Sequence, residues 1–327
     1  MVGLMSIRAS KIIRVGTLAV ALTGCSGGAG GTETDASSSG GSSSGASASE
    51  GTAGTTTGMT TGSTGATSGG TSGGMSSGGE TSGSSGGVEL EPFSFFVTSL
   101  KAMQELSDDP LGFGGDLRFG EVGPGAGLRG ADKICAAIAE SSMPGSSVKE
   151  WRAFLSVTAD AEGKQVNAID RIGDGPWYDR LGRLVAASKA DLLHDRPLGA
   201  DPAIVDDLPN EFGIPNKQPD PNLPPEDNHH VLTGSNDQGA LFGANATCLD
   251  WTSAIGDRDL EGRPRIGLSF PRQGGMDSMS RNWMSALIES GCAPGVTLVP
   301  TDPPGPDVVD VGSGGGYGAI YCFALSP

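Results

Sequence analysis

Alternating carboxylates in the last third of the sequence offer the clearest chance of site chemistry. Asp257, Asp259 and Glu261 occupy every second position of a short segment that ends at Gly262. Carboxylate oxygens arranged around a turn are ligands that Ca²⁺ prefers in proteins. Acidic turns are more often solvated loops that hold no ion. We therefore expect a solvated loop here, with a calcium site at these three residues as the alternative hypothesis.

Two adjacent histidines, His229 and His230, could offer imidazole nitrogens to a transition metal together with Asp227 or Glu226. Neighbouring side chains on an extended chain point in opposite directions, so the two rings would not converge on one ion. The sequence favours exposed loop residues at both positions over a metal site.

Three glycines, Gly125, Gly127 and Gly130, match the spacing of a dinucleotide-binding loop. The alternation of strands and helices that such a site requires does not follow them, so we expect a tight turn into a helix. No combination of Ser, His and Asp and no pair of carboxylates suggests a catalytic centre. The sequence therefore predicts a protein that is not an enzyme.

Cysteines set the next constraint, because the chain has five of them. The four that follow Cys25 are widely spaced and lack a Cys-x-x-Cys pair, which is unlike a zinc cluster: Cys135, Cys248, Cys292 and Cys322. An even set of this kind predicts two disulfides in an oxidising compartment, with three pairings open.

The pattern of apolar residues predicts an α+β domain with short strands, one good helix and long loops. Strands are expected at residues 93–98 and 151–157 and, as a buried type, at 318–325, and a helix at 131–140. Residues 194–230 contain eight prolines and predict a long surface loop. The core is expected to include all four tryptophans, Trp151, Trp177, Trp251 and Trp283.

The N-terminus has the three zones of an export signal. Arg8, Lys11 and Arg14 precede a short apolar stretch at residues 15–22, which is too short to span a bilayer. Residues 22–25, Leu-Thr-Gly-Cys, resemble the lipobox of bacterial lipoproteins. The resemblance implies cleavage after residue 24 and acylation, including palmitate, at Cys25, and Ser26 favours the outer membrane or cell surface. Several acyl chains give stable anchoring.

Composition divides the rest of the chain into a linker and a domain. Residues 25–87 are nearly all Gly, Ser, Thr and Ala, which predicts a lipid-anchored disordered linker spanning roughly 45 Å root-mean-square. Residues 88–327 form the expected single domain. The net charge is −17, and residues 25–327 carry 18 Lys and Arg against 38 Asp and Glu, or −20. Such a field excludes nucleic acid and heparin-like partners.

Several separate motifs across residues 93–325 resemble endostatin, a collagen-derived domain with a C-type lectin-like fold. They lie at residues 127–135, 151–156, 191–193, 232–239, 248–251 and 320–323. The chain resembles even more closely a bacterial lipoprotein family of unknown function with this architecture, through residues 96–99, 170–171 and 175–176. The resemblance implies a C-type lectin-like fold with nested disulfides, Cys135–Cys322 and Cys248–Cys292. Fold resemblance does not transfer activity.

Two properties of endostatins do not carry over. Their arginine-rich heparin surfaces have no counterpart in so acidic a chain, and no histidine precedes His194 where they bind zinc. Gln218-Pro219-Asp220 matches the sugar-specificity triplet of C-type lectins, so Gln218 and Asp220 mark a possible ligand loop. The companion Trp-Asn-Asp is missing, because Met284 and Ser285 follow Trp283.

We therefore expect an envelope lipoprotein whose lectin-like domain is a binding or adhesion module for an extracellular protein or glycan. The alternative is a structural envelope or matrix-contact protein without a small ligand. No cofactor is expected, with Ca²⁺ as the exception already noted.

Overall fold

A computed structural model describes residues 90–216, 228–270, 282–298, 305 and 307–327. The chain divides into two units, Met1–Gly78 and Gly79–Pro327, and every described residue belongs to the second. No helix within the described ranges is long and apolar enough to cross a membrane. Cys25, Gln218 and Asp220 lie outside the described residues, as do Glu226 and Asp227.

The described unit is an α+β fold, as the sequence predicted. Its strands are β1 (Phe95–Val97), β2 (Trp151–Ala153), β3 (Trp177–Tyr178), β4 (Leu184–Ala186), β5 (His230–Leu232), β6 (Arg265–Leu268), β7 (Leu287–Ile288) and β8 (Gly316–Ala324). Its helices are α1 (Leu100–Ser107), α2 (Ala126–Ser142), α3 (Ala168–Arg171), α4 (Lys189–Leu192), α5 (Cys248–Trp251) and α6 (Arg258–Glu261). Two 3₁₀ turns lie at Ser146–Lys149 and Ala244–Ala246.

Strand β8 is the centre of the main sheet, whose order is β1-β8-β5-β6-β7, with β2 also paired to β8. Strands β1 and β2 pair with it antiparallel, and β5 pairs with it parallel. Every residue of β8 is buried, which explains the apolar run that predicted this strand. A separate two-stranded sheet joins β3 and β4.

A register shift between β5 and β8 creates a bulge at a buried tyrosine. His230 pairs with Gly316 and Val231 with Ala319, so two extra β8 residues bulge between them. Gly318 has φ +73°, which suits glycine at such a bulge. The bulge carries Tyr317, whose hydroxyl donates to Thr98 O at 2.7 Å and to Asn216 Oδ1 at 3.1 Å.

Helix α2 packs against β2 and β8. Ala131, Ile134, Cys135 and Ile138 are buried on one face, as their spacing predicted. Gly125 precedes the helix with φ +69°, so the glycine motif makes the expected turn. Two other glycines allow close packing: a Cβ at Gly127 would lie 2.1 Å from Asp250 O, and one at Gly130 2.1 Å from Arg118 O.

Two disulfides join distant parts of the fold. Cys135–Cys322 links α2 to β8, and Cys248–Cys292 links α5 to the segment after β7. The pairing is the one that the resemblance implied. All four tryptophans are buried as expected. Their indole rings fill the core, and three of them donate N–H to main-chain carbonyls: Trp151 to Ser146, Trp251 to Ser156 and Trp283 to Leu192.

The prediction of a surface loop at residues 194–230 was wrong for part of that range. Ile204 and Leu208 are fully buried, and Leu208 N donates to Ser269 O at 2.9 Å. His230, at the end of the range, opens β5 inside the sheet. Prolines removed the periodicity that would have indicated burial, while backbone hydrogen bonds to distant segments hold the chain against the core.

Candidate functional site

The best candidate for a site is a pair of adjoining clefts beside α1. The first, here called the Glu211 cleft, has a volume of about 120 Å³. The second, the Asn228 cleft, has a volume of about 310 Å³. Ser99 and Lys101 line both clefts. The two clefts therefore adjoin at the start of the helix.

Helix α1, which the sequence prediction missed, positions one wall of both clefts. It begins directly after β1, and Ser99 caps it, because the Ser99 hydroxyl accepts the Ala102 N–H at 3.2 Å. Met103 is buried beneath the helix, and Lys101 and Glu105 project from its solvent side. The helix thus places polar groups along the rim of a wall anchored by the core.

The opposite wall is a turn built around Asn210. The Asn210 Oδ1 accepts the N–H groups of Phe212 at 3.0 Å and Ile214 at 3.2 Å, which fixes the local chain in a side-chain-capped turn. Phe212 is 50% exposed and Ile214 is also exposed. Backbone geometry therefore holds two large apolar side chains in solvent instead of letting them collapse onto the core.

Glu211 lies at the base of the first cleft and is only 2% exposed. Its Oε1 accepts the Ser99 hydroxyl at 2.5 Å, and its Oε2 accepts the Ser99 N–H at 3.0 Å. Burial raises the pKa of Glu211, the Ser99 hydrogen bonds partly oppose that rise, and the charge on Glu105 adds to it. The site thus contains a carboxyl group that is costly to keep ionised.

Asn228 lines the second cleft and has a side-chain acceptor that is not satisfied. Its Nδ2 donates to Asn216 O at 2.7 Å, while Asn216 Nδ2 donates to Asn228 O at 3.3 Å. Its Oδ1 is buried and has no hydrogen-bond partner among the described residues. Asn228 is 6% exposed, and Tyr317 fixes its partner Asn216 from below. A hydrogen bond from a ligand or a water molecule to such a buried acceptor lowers the free energy of the protein, because the acceptor is otherwise unsatisfied.

Two of the three carboxylates considered for calcium, Glu261 and Asp257, are used inside their own turn, and the third, Asp259, is exposed. Glu261 is 1% exposed and accepts the Ser253 hydroxyl and the N–H groups of Ile255, Gly256 and Asp257. Asp257 caps α6 by accepting the N–H of Asp259 at 3.0 Å and of Leu260 at 3.2 Å. Within the described ranges no three or more His, Cys, Asp or Glu side chains form a group that could hold a metal ion. Calcium binding stays a hypothesis to be tested directly.

The expectation that His229 and His230 are exposed was wrong, because they are 1% and 3% exposed. Strand β5 runs between β6 and β8, so both of its edges are paired, and all three of its residues are buried. His230 Nδ1 contacts Glu289 Oε1, and Glu289 Oε2 accepts the Ser313 hydroxyl at 2.7 Å and the Gly314 N–H at 3.0 Å. This network connects β5 to the segments on either side of it.

Sequence reasoning missed the clefts because their residues come from remote segments. Ser99 and Glu211 are 112 positions apart, and neither belongs to a recognisable motif. The one usable signal was Asn-Glu-Phe-Gly at residues 210–213, which is typical of a tight turn.

The fold and the clefts define an α+β domain with two disulfides and a polar surface site. No protein-family model matches the chain. No curated protein is significantly similar to it.

Proposed function

We propose that this protein is an exported, lipid-anchored binding module that is not an enzyme. In this proposal Cys25 carries the lipid at the outer membrane or cell surface, and residues 25–87 act as the disordered linker. The C-type lectin-like domain at residues 88–327 then binds an extracellular protein or glycan. The two disulfides support an oxidising compartment.

The cleft pair beside α1 carries this proposal. It combines an exposed aromatic side chain, Phe212, with a buried carboxyl and a buried unpaired amide oxygen. Concave surfaces with apolar walls and a few fixed polar groups are typical of ligand-binding sites. Side chains held outward by a capped turn lose little conformational entropy on binding, which favours recognition.

The test compares two phenylalanines that are similarly exposed and lie at different places on the surface. Phe212 lines the Glu211 cleft, while Phe242 is 46% exposed elsewhere and lies under Arg265. The full chain is applied to a glycan array and to a peptide library, with Ca²⁺ and with a chelator. We expect binding to weaken about tenfold in Phe212→Ala and to be unchanged in Phe242→Ala.

Equal loss in both variants, or no ligand on either array, would overturn the proposal. Sugar binding that requires Ca²⁺ and disappears in Asp220→Ala would instead assign the lectin-type loop at Gln218 and Asp220 as the site. The experiment therefore distinguishes the cleft pair from the loop at Gln218 and Asp220 as the binding site.

A structural role in the envelope is the second candidate, and one observation favours it. β7 is the last strand in the sheet order, and both Leu287 and Ile288 are exposed on it. Exposed apolar edge strands pair readily with other chains. If this role is the main one, the full chain will self-associate, and Leu287→Lys will return it to monomers in sedimentation experiments.

A further inference from the structure

We propose that the Glu211 cleft takes the basic side chain of a lysine or arginine from a partner polypeptide. This inference rests on the proposed binding function and names the chemistry of its ligand. The first argument is size. A cleft of about 120 Å³ is well below the 300–1,000 Å³ that is usual for small-molecule sites, so it suits one side chain.

The carboxyl of Glu211 provides the recognition chemistry. A carboxylate has about four acceptor positions, and Ser99 fills one on each oxygen. The described residues form no ion pair with Glu211. An incoming ammonium or guanidinium group would supply both a counter-charge and further hydrogen bonds, as buried carboxylates require.

The walls of the cleft fit the rest of such a side chain. Leu106, Ala137 and Ile138 provide apolar surface on which the methylene groups of lysine or arginine can pack. Phe212 presents an exposed ring at the rim, where a cation is attracted to an aromatic face. The cleft therefore matches both the aliphatic and the charged part of a basic residue.

Charge around the cleft also favours a cation. Glu105 lines the cleft together with Glu211, so the cleft has two carboxylates and one lysine among its lining residues. That lysine, Lys101, lies 3.5 Å from Glu105 and is 80% exposed, so it screens the cleft weakly. The chain as a whole carries a net charge of −17, which steers cationic partners towards it.

The Asn228 cleft explains why the partner would be a polypeptide. Asn228, whose buried Oδ1 is unpaired, lines the cleft that shares Ser99 and Lys101 with the first. A main-chain N–H next to the bound basic residue is a natural donor for that oxygen. A free amine lacks a main-chain amide for this second contact, so it should bind more weakly than a peptide.

The experiment uses the full chain and fluorescent pentapeptides with one central residue in a glycine background. Arginine and lysine peptides are compared with citrulline, acetyl-lysine and glutamate peptides, and butylamine serves as the free-amine competitor. Anisotropy titrations should show basic peptides binding at least about tenfold more tightly than their uncharged counterparts, and more tightly than butylamine.

Matched variants separate the cleft from the general acidity of the chain. Glu211→Gln should weaken basic peptides about tenfold, and Glu105→Gln about two- to threefold because that carboxylate is exposed. Glu162→Gln removes the same charge at a different cleft and should leave binding unchanged. Far-ultraviolet circular dichroism checks folding, and Phe212→Ala provides the same test if Glu211→Gln does not fold.

Three results would overturn the inference. One is citrulline binding as tightly as arginine, and another is Glu162→Gln weakening binding as much as Glu211→Gln. The third is that the folded chain binds none of the basic peptides. If glycan binding sensitive to Phe212→Ala persists in that case, the binding function stands and only the ligand class proposed here fails.

Discussion

Two buried glutamates, Glu211 and Glu261, show how differently this fold uses the same side chain. They are 2% and 1% exposed. Glu261 accepts four hydrogen bonds from its own turn, three of them from main-chain N–H groups. Glu211 accepts two from a single residue and borders a cleft. Burial alone therefore does not indicate a site, whereas spare acceptor capacity next to open space does.

The contrast predicts opposite consequences for stability. A carboxylate that satisfies several donors holds the structure together, because its loss leaves those donors buried and unpaired. A carboxylate with few donors is retained at a cost in folding free energy, which is the signature expected of a functional group. The following substitutions are arranged from the largest expected effect to the smallest.

Glu261→Gln should have the largest effect on stability. The neutral amide keeps one acceptor oxygen, so at least two of the four donors lose their partner. We expect the free energy of unfolding to fall by about 3 kcal/mol, measured by urea denaturation. Asp259→Asn, an exposed position on the same turn, should change it by less than about 0.5 kcal/mol. Equal effects would mean that the turn is held by something other than Glu261.

Asp250→Asn should have the second largest effect. Residues 248–251 have positive φ angles between 49° and 63°, which is strained for residues other than glycine. The Asp250 carboxylate stabilises this left-handed turn by accepting from Thr158 N at 2.7 Å, Thr158 Oγ1 at 2.6 Å and Ala159 N at 3.1 Å. We expect a loss of about 2 kcal/mol in the same assay. A negligible loss would show that the disulfide at Cys248 suffices to hold the turn.

Asp257→Ala should cost about 1 kcal/mol, the usual value for removing a helix N-cap. It also separates the capping role from the calcium hypothesis. If Asp257 only caps α6, the melting temperature of the unmodified chain will be the same with Ca²⁺ and with a chelator. A Ca²⁺-dependent rise that disappears in Asp257→Ala would assign this carboxylate to a metal.

The same comparison explains what could be predicted from the sequence. Strand β8 and helix α2 were predictable from local pattern. The strand is a continuous apolar run, and the apolar residues of the helix recur with a helical period. The disulfide pairing followed from resemblance. Local pattern could not reveal that His230 lies inside the sheet, because its burial depends on β8, more than 80 residues later. Histidine is polar enough to suggest a surface position.

The cleft was beyond sequence prediction for a related reason. The environment of Glu211 depends on Ser99 and Ile138, which line the same cleft. The three residues come from three separate segments of the chain. Glu261, by contrast, contacts donors within eight positions of itself. The sequence nevertheless indicated Glu261 as a candidate site residue and not Glu211. A run of acidic residues can be recognised in the sequence, whereas a tertiary environment cannot.

Glu211→Gln should have the smallest effect on stability and the opposite sign. Because burial raises the pKa of Glu211 above its usual 4.5, the folded chain keeps this proton to a higher pH than the unfolded chain. The contribution of Glu211 to stability is therefore greatest below about pH 4.5 and is lost as the pH rises through the folded-state pKa. The glutamine variant does not titrate there, so it should gain on the unmodified chain over that window.

Denaturation of both proteins across the acidic and neutral range measures this difference. Burial also raises the pKa of Asp310, which gives the same sign in the unmodified chain. Asp310 is present in both proteins, so subtracting one curve from the other isolates Glu211. We expect the variant to gain up to about 1 kcal/mol towards neutral pH. A variant that instead loses stability as Glu261→Gln does would show that Glu211 is a structural capping group for α1, and the distinction between the two glutamates would fail.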